Sequence, residues 1–320
     1  MRSFRFSFNI FGLTSAAAFA STCRQGERYG YHSVFAADHL GLPAPFPLLV
    51  AAAQASSGLR LGTLVLNAGF WNPALLAREI ATTDILTGGR LEVGLGAGHM
   101  KWEFDAAGIG WQDFGARAGR LSALIGELRQ NFSGPPAGQP DAARWLLPVQ
   151  RHGFGGAGPP LIVGGTGDRI LRIAAEHADI VGVAGVLQIP GQPRGTFRLA
   201  TAAEADERVG FARACAGARA SQIEWHLLVQ AVIVTGDRQA AAADLIAGER
   251  RAAARQGADP DQAVLTVTEA LQTPYLLIGT ADEIAGQLRA SRERWGFSYI
   301  TVHEPFMPAL APVIERLRGQ

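Results

Sequence analysis

The sequence has two cysteines, one lysine and no long apolar run, and each shortage excludes a class of protein. Cys23 and Cys215 are too few for a disulfide framework and lie in no zinc-ligand cluster. Apart from Lys101 the basic residues are arginines, and 29 basic against 28 acidic residues give a net charge of +1. This balance predicts no basic surface for nucleic acid. Since no apolar run approaches the ~18 residues that span a bilayer, we expect a soluble, cytoplasmic protein without a membrane segment.

The first twenty residues have some features of a secretory signal peptide. Arg2 and Arg5 are followed by an apolar stretch and by Ala18-Phe19-Ala20, which resembles a cleavage site. The apolar residues from Phe4 to Ile10 alternate with polar ones, however, and this alternation is typical of a β-strand. We therefore interpret the segment as the first strand of the fold, followed by a helix.

Short apolar runs alternate with helical patterns along the chain. The predicted strands are Arg5–Phe11, Ser33–Ala36, Arg60–Leu66, Leu91–Leu95, Leu161–Val163, Asp179–Val183, Trp225–Val234 and Tyr299–Val302. The predicted helices are Ala16–Arg28, Pro47–Ser56, Pro73–Leu86, Arg117–Asn131, Asp168–His177, Thr201–Ala216, Arg238–Gln256, Ala281–Trp295 and Pro308–Leu317. Apolar strands separated by helices indicate a parallel sheet covered by helices. The length favours a single (β/α)8 TIM barrel over residues 1–320, although an open doubly wound sheet has the same pattern.

Two segments rich in glycine and proline interrupt this alternation. They are Ser133–Pro160 and Gly185–Gly195. Long loops within a compact domain are usually binding loops or lids, so we expect both to be βα-loop insertions near the barrel mouth. A domain linker near residue 133 is the alternative, but neither half of the chain completes a β/α set alone.

Polar residues follow three consecutive predicted strands. Asp38 and His39 follow the second strand, Asn67 ends the third and His99 follows the fourth. The C-terminal ends of barrel strands carry the active site, and His39 there could place an imidazole over a cofactor ring. A capped turn explains a single Asp-His pair equally well, but convergence of several polar groups favours a site. His303 ends the last strand and is a further candidate.

Glycines at the ends of the fourth, fifth and sixth predicted strands suggest ligand-binding loops. Gly94–Gly98 resembles a dinucleotide fingerprint or the first motif of S-adenosylmethionine-dependent methyltransferases, but three strands precede it and no acidic strand end follows at the usual distance. Gly164–Asp168 opens a helix, where free backbone N–H groups make an anion site. Val183–Gly185 ends the sixth strand. Simple turns are the alternative for both of these loops. The sequence has neither a Gly-x-Ser-x-Gly nor a His-Glu-x-x-His motif, which disfavours a hydrolase.

Several of these segments together resemble the luciferase-like monooxygenase superfamily. The motifs are Gly62–Asn67, Asn72–Ala81, Asp84–Arg90 and Gly94–Gly98, in the family's order and spacing, and Ala36–His39, Leu161–Gly165 and Ser298–Val302 extend the resemblance over almost the whole chain. Gly96–Lys101 and Arg169–Asp179 are most similar to the actinobacterial subgroup of oxidoreductases that depend on coenzyme F420, a deazaflavin. Flavin-using relatives share most of these motifs, so FMN is the alternative cofactor.

The resemblance implies a barrel that holds the cofactor ring at its C-terminal mouth. It implies that His39 lies near the reactive part of the ring and that a non-proline cis peptide joins Leu64 to Val65 behind it. The residues that match cofactor or phosphate contacts, together with the polar strand ends, are Asp38, His39, Leu64, Val65, Asn67, Ala97, Gly98, His99, Gly164, Gly165, Ala184 and Gly185. His99 stands where some deazaflavin dehydrogenases carry an acidic catalytic residue, which argues against a sugar-phosphate dehydrogenase. The proton donor therefore stays open between His39, His99 and a water molecule.

The function expected on these grounds is that of an F420-dependent reductase. Hydride would pass between the deazaflavin C5 and a C=C or C=N bond of a small organic substrate such as a natural product. An FMN-dependent monooxygenase is the main alternative, and a methyltransferase and a cofactor-free accessory protein are lesser ones. Phe70, Trp71 and Trp102 could line the substrate side or pack in the core. The resemblance also implies a homodimer, and a separate reductase that supplies reduced cofactor.

Overall fold

The computed structural model describes residues 2–133, 147–148, 158–189, 191–192, 196–255 and 257–320. The strands are β1 (Arg5–Ile10), β2 (Ser33–Ala36), β3 (Arg60–Thr63), β4 (Leu66–Asn67), β5 (Leu91–Gly96), β6 (Leu161–Gly165), β7 (Ile180–Val183), β8 (Val186–Gln188), β9 (Phe197–Leu199), β10 (Glu224–Leu228), β11 (Ala231–Val234), β12 (Leu276–Gly279) and β13 (Phe297–His303). The helices are α1 (Ala16–Arg28), α2 (Pro45–Ala55), α3 (Pro73–Leu86), α4 (Lys101–Ala106), α5 (Phe114–Phe132), α6 (Asp168–His177), α7 (Ala202–Ala216), α8 (Arg238–Arg255), α9 (Pro260–Ala263), α10 (Val267–Gln272), α11 (Ala281–Trp295) and α12 (Met307–Leu317).

The main sheet is a closed barrel of eight parallel strands. Its order is β3-β2-β1-β13-β10-β7-β6-β5-β4, and β3 also pairs with β5, which closes the ring. Strands β3 and β4 are two parts of one barrel strand, separated by a cis peptide bond between Leu64 and Val65. The prediction of a (β/α)8 barrel is therefore confirmed, and the pairing of β3 with β5 excludes the open sheet.

Local differences from the sequence prediction have physical reasons. The predicted strand Trp225–Val234 is two strands, because the chain leaves the barrel after β10 and β11 pairs with β12 in a separate parallel sheet. The predicted strand Arg60–Leu66 is interrupted by the cis bond. The predicted loop Gly185–Gly195 contains β8, which pairs with β9 just beyond the loop as an antiparallel ribbon, while 190 and 193–195 lie outside the described residues. Most of Ser133–Pro160 also lies outside them.

The alternation along β1 separates two kinds of core. Phe6, Phe8 and Ile10 face the helices, and Phe8 packs so closely on α1 that a Cβ atom at Gly26 would lie 2.4 Å from its ring. Arg5 and the residues at alternate positions after it face the barrel interior. The polar side chains of β1 therefore point into the barrel, and its apolar side chains pack against the surrounding helices.

A buried ion network closes the N-terminal end of the barrel. Glu92 on β5 is fully buried and accepts hydrogen bonds from Arg5 Nη2 and Arg60 Nε, both at 2.6 Å, and from the Tyr299 hydroxyl at 2.9 Å. Burial acts to raise the pKa of Glu92, but the charges of Arg5 and Arg60 outweigh it and lower the pKa. A second carboxylate, from Glu224, binds Arg5 Nη1 at 2.6 Å.

The next layer of the interior is apolar, and the layer above it has few side chains. Phe35, Ile162, Ile180 and Tyr299 pack together in the barrel, with Leu64 against them. Further towards the C-terminal mouth, the inward positions of β5, β6 and β7 are Gly94, Gly96, Gly164 and Gly182. Large side chains thus fill one end of the barrel, whereas glycines occupy inward positions of three strands at the other end. No helix among the described residues is both long and apolar enough to cross a membrane.

Candidate functional site at the barrel mouth

The polar residues predicted at strand ends come together at the C-terminal mouth of the barrel. His39 follows β2, Asn67 ends β4 and His99 follows β5. The rings of His39 and His99 meet edge-on, with their centroids 5.6 Å apart. The backbone N–H of Asn67 donates a hydrogen bond to Asp38 Oδ2 at 3.1 Å. Three neighbouring βα loops are therefore joined at this point.

Asp38 is held by the protein itself. Its Oδ2 accepts a second hydrogen bond, from Trp71 Nε1 at 2.9 Å. Burial raises the pKa of Asp38, although the hydrogen bonds from Trp71 and Asn67 act in the opposite direction. The carboxyl thus fixes the loops after β2 and β4 beside His39.

Glu103 on α4 is the site residue that the sequence did not reveal. Its side chain is 1% exposed, and its Oε1 accepts hydrogen bonds from His39 Nδ1 at 2.9 Å and from the Leu40 N–H at 3.1 Å. Because a carboxylate only accepts, this contact keeps the proton of a neutral imidazole on Nδ1. His39 Nε2 is then free to exchange a proton with a ligand in the mouth.

The glycines of β5 accommodate the irregular strand beside them. A Cβ atom at Gly94 would lie 2.1 Å from the Thr63 carbonyl oxygen, and one at Gly96 would lie 2.7 Å from Val65 Cγ2. The cis bond between Leu64 and Val65, which the resemblance implied, is present at this place. The Gly94–Gly98 motif is therefore explained by close packing of two strands.

Gly98 packs closely against the side chain of Asn67. Gly98 has a φ of +74°, and a Cβ atom there would lie 2.4 Å from Asn67 Oδ1. The Arg117 guanidinium donates to the Gly98 carbonyl oxygen at 3.2 Å. Asn67 Oδ1 accepts a hydrogen bond from the Gly69 N–H, but its buried Nδ2 has no hydrogen-bond partner within the described residues. A ligand in the mouth would find a free donor here.

The glycines in the loops after β6 and β7 are packed to different degrees. Gly165 lies against Ile170 and Gly185 against the Tyr275 ring, where added Cβ atoms would come within 2.6 Å and 2.2 Å. At Gly164 the nearest atom to an added Cβ is the Gly182 carbonyl oxygen at 3.4 Å, an ordinary contact distance. Close packing therefore requires glycine at positions 165 and 185, while position 164 would accept a methyl group. Ala184 joins the two loops through its N–H, which bonds the Gly165 carbonyl oxygen at 3.1 Å.

The start of α6 is suited to an anion. Its N-cap is Gly167, so no side chain caps the first turn. Asp168 in that turn forms an ion pair with Arg208 from α7, which offsets its negative charge. Backbone N–H groups at a helix N-terminus favour phosphate. The uncapped start of α6 and the unpartnered Asn67 Nδ2 suit a cofactor that carries a phosphate and hydrogen-bond acceptors, and they suit F420 and FMN alike.

The aromatic residues considered for the substrate side have different surroundings. Trp71 packs on Phe46 with ring centroids 5.5 Å apart, and Phe70 packs on Phe104 at 5.2 Å. Trp102 is 54% exposed. Phe70 and Trp71 therefore have packing partners of their own, and Trp102 faces solvent.

Two known oxidoreductases are similar in sequence to a part of this chain. A 115-residue segment is 33% identical to an F420-dependent glucose-6-phosphate dehydrogenase from Amycolatopsis mediterranei, covering 33% of this chain and 34% of that protein. A 117-residue segment is 31% identical to the oxygenase component of a flavin-dependent trigonelline monooxygenase from Acinetobacter baylyi, covering 35% and 32%. The chain thus matches about a third of the length of these relatives.

The fold and the family are established over almost the whole chain. The coenzyme F420-dependent tetrahydromethanopterin reductase from Methanopyrus kandleri has the same fold, with a TM-score of 0.68 and 17% identity over 98% of this chain and 97% of that one. The sequence profile of the luciferase-like monooxygenase family matches residues 10–299. The protein belongs to the luciferase-like monooxygenase family.

Proposed function

We propose that the protein is an F420-dependent oxidoreductase that acts on a C=C or C=N bond of a small organic substrate. The observation that carries the proposal is the His39–Glu103 contact at the C-terminal mouth of the barrel, next to the unpartnered Nδ2 of Asn67. When bound, the reduced deazaflavin would supply hydride from its C5 atom. The chain itself has to hold the substrate, keep water away and deliver one proton.

His39 is the proposed proton donor. Its Nδ1 is hydrogen-bonded to Glu103, which leaves Nε2 for the substrate. In the protonated imidazole, the Nε2–H would protonate the substrate atom next to the one that receives hydride. Addition of hydride and proton completes a two-electron reduction, and the neutral imidazole left behind is recharged from solvent. The side chain of His39 is 31% exposed, so solvent reaches it.

His99 has a different environment. Burial lowers its pKa, and the neighbouring His39 lowers it further. Its ring meets the edges of His39 and Phe197, with centroids 5.6 Å and 6.2 Å away. A neutral imidazole among ring edges is suited to shaping the mouth, and we assign His99 that part.

An FMN-dependent monooxygenase is the second candidate. The similarity to a flavin-dependent monooxygenase component over 117 residues favours it. Such an enzyme would consume oxygen and would need a reductase partner. A methyltransferase has lost its support, because Gly94 and Gly96 are explained by packing against Thr63 and Val65.

The family resemblance is the basis for the proposed location, oligomeric state and source of reduced cofactor. We expect a cytoplasmic homodimer that receives reduced F420 from a separate reductase. Sedimentation of the purified protein tests the homodimer, and a single monomeric species would contradict it.

An anaerobic assay tests the function. The protein is mixed with reduced F420 and a panel of cyclic enones and imines, and oxidation of the cofactor is followed by its returning absorbance. We expect turnover with members of the panel and none with oxygen as the only acceptor. A parallel reaction with reduced FMN in air monitors oxygen uptake. Substrate-dependent oxygen uptake with FMN, without turnover of F420, would establish the monooxygenase instead, and inactivity of both would favour an accessory protein.

A further inference from the structure

Asn9 and His303 are neighbours on the inner face of the barrel. They end β1 and β13, and the register of these parallel strands pairs them directly. Two positions earlier, Ser7 and Thr301 are also paired, and their hydroxyl oxygens are 2.5 Å apart inside the barrel. Since side chains alternate along a strand, Asn9 and His303 point inward in the next layer, at the mouth.

Both residues have a buried polar atom without a hydrogen-bond partner. Asn9 is 2% exposed, and neither its Oδ1 nor His303 Nδ1 has a partner within the described part of the chain. In the layer below, by contrast, the polar side chains have partners, because the Thr301 hydroxyl is hydrogen-bonded to both Ser7 and His226. Buried polar groups without a partner are rare and costly in folded proteins. Two of them side by side at a barrel mouth indicate a place where a ligand supplies the missing bonds.

The pair lies across the mouth from the glycines. In the ring of eight strands, β1 is four strands from β6, which carries Gly164, and β13 is four strands from β5, which carries Gly94. A cofactor ring against the glycines would leave Asn9 and His303 on the far side. The ring of Phe11 lies beside them, 5.1 Å from the His303 ring, and is 40% exposed.

The chemistry of the pair selects an uncharged hydrogen-bond donor. The amide oxygen of Asn9 accepts hydrogen bonds and repels anions. Burial lowers the pKa of His303, so its imidazole is neutral at pH 7 and brings no charge to a phosphate or carboxylate. The exposed face of Phe11 suits an apolar body next to the polar group.

We propose that Asn9 and His303 form a substrate subsite that binds an uncharged hydroxyl or amide group, with the apolar part of the substrate on Phe11. The subsite rests on the proposed function for the position of the reacting bond. Binding of the donor group itself requires no hydride transfer. The subsite can therefore be tested apart from catalysis.

The test compares matched probes by ligand-observed NMR titration of the whole protein. The pairs are cyclohexanone with 4-hydroxycyclohexanone, and ethylbenzene with 3-phenylpropanamide. We expect the donor-bearing member of at least one pair to bind about tenfold more tightly, as one hydrogen bond is worth about 1.4 kcal/mol. In Asn9→Leu this preference should disappear. Equal binding of both members in both pairs would overturn the proposal.

Thermal unfolding of the same variant gives an answer that needs no probe. Leucine is close to asparagine in shape and removes a polar atom that lacks a partner, so Asn9→Leu should unfold at a temperature at least equal to that of the wild type. A lower Tm would show that Asn9 is a structural residue and would overturn the proposal. Ser298→Ala is the matched control, because its buried hydroxyl also lacks a partner in the described structure but lies at an outward position of β13. It should keep the wild-type preference.

Cofactor titration of Asn9→Leu separates the two proposals. We expect its affinity for F420 or FMN to equal that of the wild type. A loss of cofactor affinity as large as the loss of the probe preference would show that Asn9 serves the cofactor, which would overturn the substrate subsite. If the wild type binds neither cofactor but prefers the donor-bearing probes, the proposed function fails and the subsite stands.

Discussion

The carboxylate of Glu103 lies 2.9 Å from His39 Nδ1, although the two residues are 64 positions apart in the chain. His39 follows β2 and Glu103 belongs to α4, beyond β5, so closure of the barrel creates the contact. A buried carboxylate is stable only when donors satisfy it, and His39 and the Leu40 N–H do so. The pair resembles the carboxylate–imidazole arrangement by which enzymes hold a histidine in one tautomer.

Glu103→Gln should lower turnover while leaving cofactor binding unchanged. Glutamine can present either its amide oxygen or its amide NH2 to Nδ1, so it no longer fixes the tautomer of His39. We expect kcat to fall roughly 10- to 100-fold, less than the 10²- to 10⁴-fold that a positioned acid contributes, because the acid itself remains. Steady-state kinetics and cofactor titration measure the two effects. Asp105→Asn is the control, because Asp105 lies on the same helix and is exposed, and an equal loss there would refute the assignment.

His39 and His99 should differ in their contribution to turnover. We expect His39→Gln to reduce kcat by about 10²- to 10⁴-fold, the usual contribution of a general acid, with an unchanged Tm. His99→Gln should change kcat less than about tenfold, since we assign it no proton transfer. Comparison of the two variants under the same anaerobic conditions decides between the donors. A larger loss of kcat in His99→Gln than in His39→Gln would identify His99 as the proton donor.

The barrel could be predicted from the sequence, but the partner of His39 could not. Apolar strands between amphipathic helices specify a parallel sheet that is buried on both faces, and the length of the chain favours its barrel form. A single Glu103 in the charged segment Lys101–Asp105 has the appearance of a surface residue. Only the tertiary fold brings Glu103 to His39, so the local sequence pattern around Glu103 does not indicate this contact.

The glycine loops were also ambiguous in the sequence. A missing Cβ atom makes room either for a ligand or for another part of the protein. The structure separates these cases, because Gly165 and Gly185 receive the side chains of Ile170 and Tyr275. At Gly164 the atoms nearest to an added Cβ belong to the Gly182 backbone and lie at ordinary contact distance.

Gly164→Ala should weaken cofactor binding without unfolding the barrel. The added methyl group meets no atom closer than 3.4 Å, so the fold tolerates it. It would occupy space proposed for the ring, and overpacking of this kind costs about 1–3 kcal/mol, or a factor of ten in Kd for each 1.4 kcal/mol. Fluorescence titration measures the Kd. Gly126→Ala, exposed on α5 with no atom within 4 Å, should leave the Kd unchanged and raise stability by about 0.5–1 kcal/mol. An unchanged Kd in Gly164→Ala would place the ring elsewhere.

Stability should fall between pH 7.5 and pH 5, in part because of His226. Burial lowers the pKa of this imidazole to about 4 in the folded protein, against about 6.5 in the unfolded chain. The unfolded state therefore binds more protons in this range, so the stabilisation is complete above pH 6.5 and is lost as the pH falls towards 4. Linkage gives a loss of about 2 kcal/mol at pH 5.

Urea unfolding of the wild type and His226→Gln at both pH values tests this contribution. The difference in unfolding free energy between pH 7.5 and pH 5 should be about 2 kcal/mol smaller in the variant. Other groups with shifted pKa values, such as His32 and Glu224, contribute to the pH dependence of both proteins alike. An equal difference in the two proteins would mean that His226 does not titrate in this way.

The central claim is that the barrel mouth binds a deazaflavin. Anaerobic titration of the purified protein with reduced F420, and in parallel with reduced FMN, tests it most directly, with absorbance and fluorescence as the signals. We expect saturable binding of F420 that is tighter than that of FMN and is weakened in Gly164→Ala. Preference for FMN would contradict the F420 assignment and direct the search to oxygen-dependent hydroxylation. Binding of neither cofactor would contradict the proposed function.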